Sequence, residues 1–360
     1  MQKIDIGKSR LVSHHIADNR HETVADVLRW MGAMQAQDYK QALWAIGTRM
    51  QSATIDTVET AITNTEIVRT WSQRGTIHFV PAEDTLWMLE LCASRSLLKH
   101  DKRMAQLDLT EEIMEQCEDD LKRALSGGKS LTRAEIFSLF NEKGIATQKQ
   151  RGYHILWHIA HKGVICMGAM QRNEQTFVLL DEWVSNLRIL SHDEALNELV
   201  KRFFKSHAPA TDYDFARWSG LTLTDTRAGL KANAESLASF NDDDMTYWFD
   251  PSQEPTSQDT QSVYLLAAFD EYLLGYKDRS SVLADEHAEK VVPGNNGVFQ
   301  PLVVVDGQVT GIWKRTLKKT SVDINLYPFT SFGDAKDAII TQAETYADFM
   351  GLSLNITFDD

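Results

Sequence analysis

The apolar positions of the first hundred residues recur with a helical period, interrupted by two short runs of strand character. Across 23–34 (TVADVLRWMGAM), Val24, Val27, Leu28, Met31 and Met34 fall on one helical face. Residues 54–64 repeat the pattern with Ile55, Val58 and Ile62. IVRTW and TIHFV, on either side of a Gly-containing turn, read as a strand pair. Pro81 then opens a long helix with Glu83 and Asp84 in its first turn, where negative charge is favoured.

The same order returns twice. Residues 111–125 form an amphipathic helix ended by Ser126-Gly127-Gly128. Thr132 and Glu135 make a capping box for a short helix that Gly144 terminates. RGYHILWHIAHKG is the next helix, and VICMGAM with TFVLL supplies a hairpin around QRNEQ. Helices followed by a two-stranded wing are the winged variant of helix-turn-helix. In the third and weakest copy, Ser191 and Glu194 cap a helix that turns Leu196, Leu199, Val200, Phe203 and Phe204 inward. DYDFARWSG and TDTRAGLKANAESL follow as helices. MTYWF and VYLLAAF would be its wing, separated by a polar and mobile loop, DPSQEPTSQDTQ.

From about residue 265 strands dominate. QPLVVV and QVTGIW flank Asp306-Gly307, a strong two-residue hairpin signal. One amphipathic helix (DAKDAIITQAETYADFMG) and a last strand (LSLNITF) complete a small β-rich domain. The expected fold is therefore α+β: tandem winged-helix (helix-turn-helix) modules followed by a small C-terminal β-barrel-like domain. Winged-helix modules are expected at 1–105, 106–188 and 189–264, with the barrel domain at 265–360. A multi-domain helical protein with no DNA role is the competing architecture.

Composition changes this picture in two places. With 360 residues the chain exceeds what one core accommodates. No stretch is apolar enough to cross a bilayer, and MQKIDIGKSR lacks the apolar core of a signal peptide. Cys92, Cys117 and Cys166 are far apart, with no CxxC pair. These features predict a cytoplasmic protein with reduced thiols and no membrane partner. The net charge of −14 argues against nucleic acid, yet residues 181–360 hold 29 acidic against 15 basic side chains and carry the whole excess. A near-neutral front half can still present a basic face.

The chain has no GxSxG, no P-loop and no GxGxxG between a strand and a helix. His154, His158 and His161 have helical spacing, but no HExxH or carboxylate stands beside them, so no metal is expected. The unusual segment is MQAQDYKQ, residues 34–41, a dense polar cluster between two apolar helices. In an extended link, Gln35 and Gln37 share a face. Taken alone, these residues favour a hydrogen-bonded connection over a site.

MQAQDY nevertheless resembles the QxQ motif of the AlkZ branch of the AlkZ/YcaQ-type bacterial DNA glycosylases; the YcaQ branch has Asp at the second position. VRTWSQRGTIHFVPAED (68–84), LLAAFDEYLLGYKDRS (265–280) and VFQPLVVVDGQVTGIWKR (298–315) are similar to further stretches of that family, in the same order. The resemblance implies tandem winged helices with a C-terminal β-barrel, and excision of alkylated purines, in some members from interstrand crosslinks. It makes Gln35 and Gln37 the catalytic pair. An N7-alkylated purine already bears positive charge and leaves without a general acid, so placing one water at the anomeric carbon remains. A glutamine carbonyl can accept that water's hydrogen bond while its fellow fixes the orientation. Double-stranded, alkylated DNA is the implied partner, the chain acting as a monomer with no cofactor.

His78 is a supporting candidate for the site. Arg69, Arg74, Lys149, Arg151, Lys314 and Arg315 are candidate contacts to the DNA backbone, with Lys318 and Lys319 extending the last run. The alternative function is a non-enzymatic winged-helix transcription regulator, which would bind specific sequences as a dimer on spaced half-sites.

Overall fold

A computed structural model of the chain describes residues 4–18, 21–242, 244–253 and 262–359. Contacts group the protein into two units, one of Glu59–Leu196 with Ser219–Leu221, the other of Met1–Val58, Asn197–Trp218 and Thr222–Asp360. The stretch 1–105, read from the sequence as one module, is thus divided between them.

In the 59–196 unit, strands Ile67–Gln73 and Thr76–Pro81 pair across Arg74-Gly75. Both turn residues have positive φ (53° and 74°), the geometry that matches the twist of a tight hairpin. Helix Thr85–Gln106 follows. Thr110 caps Glu111–Leu125 by accepting from the Ile113 N–H. The capping box of Thr132 and Glu135 is formed at the start of Arg133–Glu142. Helix Arg151–His161 leads into the hairpin Ile165–Gln171/Glu174–Leu179. The two hairpins join in one sheet, ordered Thr76–Pro81, Ile67–Gln73, Ile165–Gln171, Glu174–Leu179, Leu131–Thr132. Their junction pairs Arg69 with Met167. Trp71, Leu121, Phe140, Ile155, Ile159 and Phe177 form the core beneath.

In the other unit, helices Ile6–Ser13, Val24–Met31 and Tyr39–Gly47 lie near the N-terminus. All five residues singled out on 23–34 are buried, as the periodicity requires. Helices Asp212–Ser219 and Leu223–Ala232 precede the hairpin Ala238–Asp242/Met245–Phe249. Here the sequence reading needs correction: MTYWF pairs with Ala238–Asp242, and not with VYLLAAF. Val263–Leu266 is instead the edge of a five-stranded sheet, bonded to Leu302–Val305. Residues 254–261 of the intervening polar loop lie outside the described residues.

That sheet runs Ser353–Phe358, Ser321–Pro328, Gln308–Leu317, Leu302–Val305, Val263–Leu266. Its first pair is parallel and the others antiparallel. The Asp306-Gly307 hairpin forms as expected, with φ of 50° and 78°. Ser321–Pro328 is a strand the sequence reading passed over. Helix Lys336–Met350 packs on the sheet, Tyr346 meeting Trp313 edge-on, and buries Ile339, Ala343 and Phe349. Helix Ile6–Ser13 reaches the hairpin tip: a Cβ on Gly7 would stand 2.4 Å from the Gly307 carbonyl oxygen, so only glycine permits this approach. No helix among the described residues is long and apolar enough to cross a membrane.

Candidate active site

Helix Val24–Met31 ends at Gly32, whose φ of 78° turns the chain out of the helix. Met34–Gln35 is extended. Asp38 then caps Tyr39–Gly47, its Oδ1 accepting from the Gln41 N–H at 3.1 Å. Between these stops the spacing of two brings the glutamines together: Gln35 Nε2 donates to Gln37 Oε1 at 2.9 Å. Gln35 is 7% exposed, whereas Gln37 is exposed. One amide is held and the other reaches solvent. Amides accept and donate hydrogen bonds but take up no proton at neutral pH.

Asp38, the carboxylate beside the pair, is already engaged. Besides the cap it meets Arg315 Nη2 at 3.4 Å, and Arg315 also donates to the Tyr346 hydroxyl. Arg315, read from sequence as a DNA-backbone contact, has a side chain only 12% exposed and ties the five-stranded sheet to the helix that follows QAQ.

Behind the pair lie two buried acids that sequence reasoning did not single out, although it marked their stretch, 265–280. Glu271 is 1% exposed. Its Oε1 accepts from the Gln35 backbone N–H at 3.0 Å and its Oε2 from Trp218 Nε1 at 3.1 Å. His207 Nε2 lies 3.9 Å from Oε2. Asp270 makes a two-pronged pair with Arg49, at 3.0 and 2.9 Å, both side chains fully buried. Arg49 also faces His14 Nδ1 at 3.2 Å, and His14 Nε2 meets the Tyr276 hydroxyl at 2.7 Å. Burial holds His14 well below the usual histidine range, and His207 below it too. The available signal was two adjacent acids inside an apolar run, which predicts burial and hence partners.

Of the remaining candidates, Lys314, Lys318 and Lys319 belong to the same unit as the glutamines and the others to the 59–196 unit. His78 is fully buried: Nδ1 bonds the Thr76 carbonyl at 2.9 Å and Nε2 faces Arg74 Nη2 at 3.3 Å. Burial, with the Arg74 charge, depresses its pKa well below the ordinary value, so the ring is neutral and its Nδ1–H donates. Arg69 is 8% exposed and bonds Gln175 Oε1 at 2.6 Å. Arg151 donates to the Ala146 carbonyl at 2.8 Å and to that of Leu107. Lys149, Lys314, Lys318 and Lys319 are exposed, Lys318 meeting Asp323 at 2.6 Å. His154 and His161 belong to an aromatic cluster with His100 and Trp157, and His158 is half-buried on the same helix. Among the described residues no three His, Cys, Asp or Glu side chains could hold a metal ion. All three cysteines are buried free thiols, Cys92 and Cys117 pushed up to about 12 by burial.

Three comparisons bear on this arrangement. The interstrand DNA cross-link repair glycosylase of Streptomyces sahachiroi is 25% identical over 342 residues, covering 85% of each chain. The solved structure of Streptomyces sahachiroi DNA glycosylase AlkZ superposes with a TM-score of 0.82 at 22% identity, over 99% of this chain and 100% of that one. This likeness establishes a shared mixed α and β fold. The family described as DNA glycosylase AlkZ-like matches residues 28–349, a span that includes the glutamine pair, both buried acids and most of the five-stranded sheet. With nine-tenths of its length inside that match, the chain belongs to the AlkZ-like DNA glycosylases.

Proposed function

We propose that this DNA glycosylase removes cationic N-alkylated purines from double-stranded DNA, interstrand crosslink adducts included, by water attack that Gln35 and Gln37 orient. The observation that carries the reading is the 2.9 Å bond from Gln35 Nε2 to Gln37 Oε1, between a buried amide and an exposed one. The bond fixes the exposed carbonyl, and a carbonyl oxygen with two lone pairs can accept a water as well. In the proposed step the C1′–N bond breaks and its electron pair leaves with the purine, discharging the ring. The water oxygen bonds C1′, and its proton passes to solvent. A positively charged base departs unaided, so neither metal nor organic cofactor is required. Intact adenine and uracil should not be released.

The name of the Streptomyces relative supports extending the substrate to crosslinks. The pairing of Leu131–Thr132 with Glu174–Leu179, beside helices Arg133–Glu142 and Arg151–His161, supports the winged-helix reading of that segment. Exposed Lys149 and Lys314, with half-buried Arg74, are the proposed backbone contacts. Membership among glycosylases leaves the transcription regulator without support.

The test uses duplex DNA carrying one N7-methylguanine, scored as alkali-labile breaks under single turnover. Wild type should cleave, and Gln37→Ala should lose about 100-fold or more. No cleavage by wild type overturns the activity; equal cleavage by both overturns the pair.

A further inference from the structure

Two amides set to within a few tenths of an ångström need support from the main chain that carries them. Glu271 gives that support to Gln35, its Oε1 accepting from the backbone N–H at 3.0 Å. The opposite oxygen is fixed by Trp218, whose Nε1 donates at 3.1 Å. Trp218 is fully buried against Phe203 and His207, with ring centroids 5.0 and 5.3 Å away. A Cβ on Gly32 would come within 3.5 Å of Trp218 Cη2, so the turn preceding QAQ also rests on this indole. An unbroken line runs from Trp218 through the Glu271 carboxylate to Gln35, and from Gln35 to Gln37.

We propose that Glu271 is the positioning residue of the glutamine pair, acting as a two-sided acceptor between Trp218 and the Gln35 main chain. This deepens the proposed function and rests on it. The match is specific to a carboxylate, because both neighbours are donors. Glu271→Gln keeps the shape but turns one acceptor into an NH2 group, which must then face an N–H. Trp218→Phe removes the donor on that side, so the double variant lets the amide oxygen accept from Gln35 without conflict.

The experiment is single-turnover excision of N7-methylguanine with the full chain in excess, alongside affinity for undamaged duplex. Cleavage by wild type and its loss in Gln37→Ala establish the underlying reading independently. Given that, Glu271→Gln should slow excision about tenfold or more with DNA affinity unchanged within about twofold. Trp218→Phe/Glu271→Gln should recover most of that loss, a rescue that a purely structural role does not predict. Should Glu271→Gln fail to fold, the double variant is compared with Trp218→Phe alone, and rates within about threefold are expected. A Glu271→Gln rate equal to wild type, or a double variant no faster than its Glu271→Gln parent or clearly slower than Trp218→Phe, overturns the proposal.

Discussion

The two units treat their buried acids differently. In the 59–196 unit Asp120 and Asp84 are buried, but their cations stand near water: Arg123, Lys143 and Arg188 have side chains 65%, 40% and 41% exposed. In the other unit Asp270 meets a guanidinium as buried as itself, and Glu271 is held by two uncharged N–H donors. A pair that ends at the surface can exchange a lost partner for water. One sealed at both ends cannot, and fixes its neighbours more firmly. The unit that carries the glutamines is the one built on sealed acids.

The sharpest way to break this contrast is Arg49→Met, which strands Asp270. It should cost about 3–5 kcal/mol in urea unfolding, with replacement of Asp270 as well recovering part of the loss. Acidification comes next. Burial lowers His161 to about 4, with His78, His100, His154 and His158 also lowered. The unfolded chain therefore binds more protons below about pH 6.5. Stability is complete above that value and falls as pH drops, His161 alone contributing a loss of about 2 kcal/mol by pH 5. The melting temperature across pH 7 to 5 measures this, and His161→Phe should flatten part of the slope.

Smaller still is Lys143→Met, which leaves Asp120 paired with Arg123, whose side chain stands in solvent. At most about 1 kcal/mol is expected, and a loss matching that of Arg49→Met would erase the distinction between the units. Least is Lys314→Ala or Lys149→Ala: neither should alter unfolding, and each should reduce the salt slope of DNA binding by about one.

Much of this was legible in the sequence because it depends on near neighbours. The Thr132–Glu135 capping box, the Asp306-Gly307 turn and the apolar face of Val24, Val27 and Leu28 are local matters, and each is found where the pattern put it. The contact of Gln35 with Gln37 followed from an extended link. What escaped was pairing over distance. The polar run after Phe249 resembled a wing loop, so Val263–Leu266 was joined to MTYWF, although the weakly patterned ASFND stood closer. Ser321–Pro328 carries a visible alternation of Val322, Ile324 and Leu326, but its polar odd positions concealed a strand covered on one face. The bond between Gln35 and Glu271 spans 236 positions, and no local rule reaches so far.

The unit holding the glutamines is assembled from three separate stretches of chain, whereas 59–196 is nearly continuous. On the ribosome these two would mature in a fixed order. The continuous stretch can collapse as soon as residue 196 has left the exit tunnel. Gln35, made far earlier, must wait for Glu271 and then for helix Lys336–Met350 and strand Ser353–Phe358 before its surroundings exist. A nascent chain that stalls before helix Lys336–Met350 and strand Ser353–Phe358 are made would therefore carry both glutamines and have no working site.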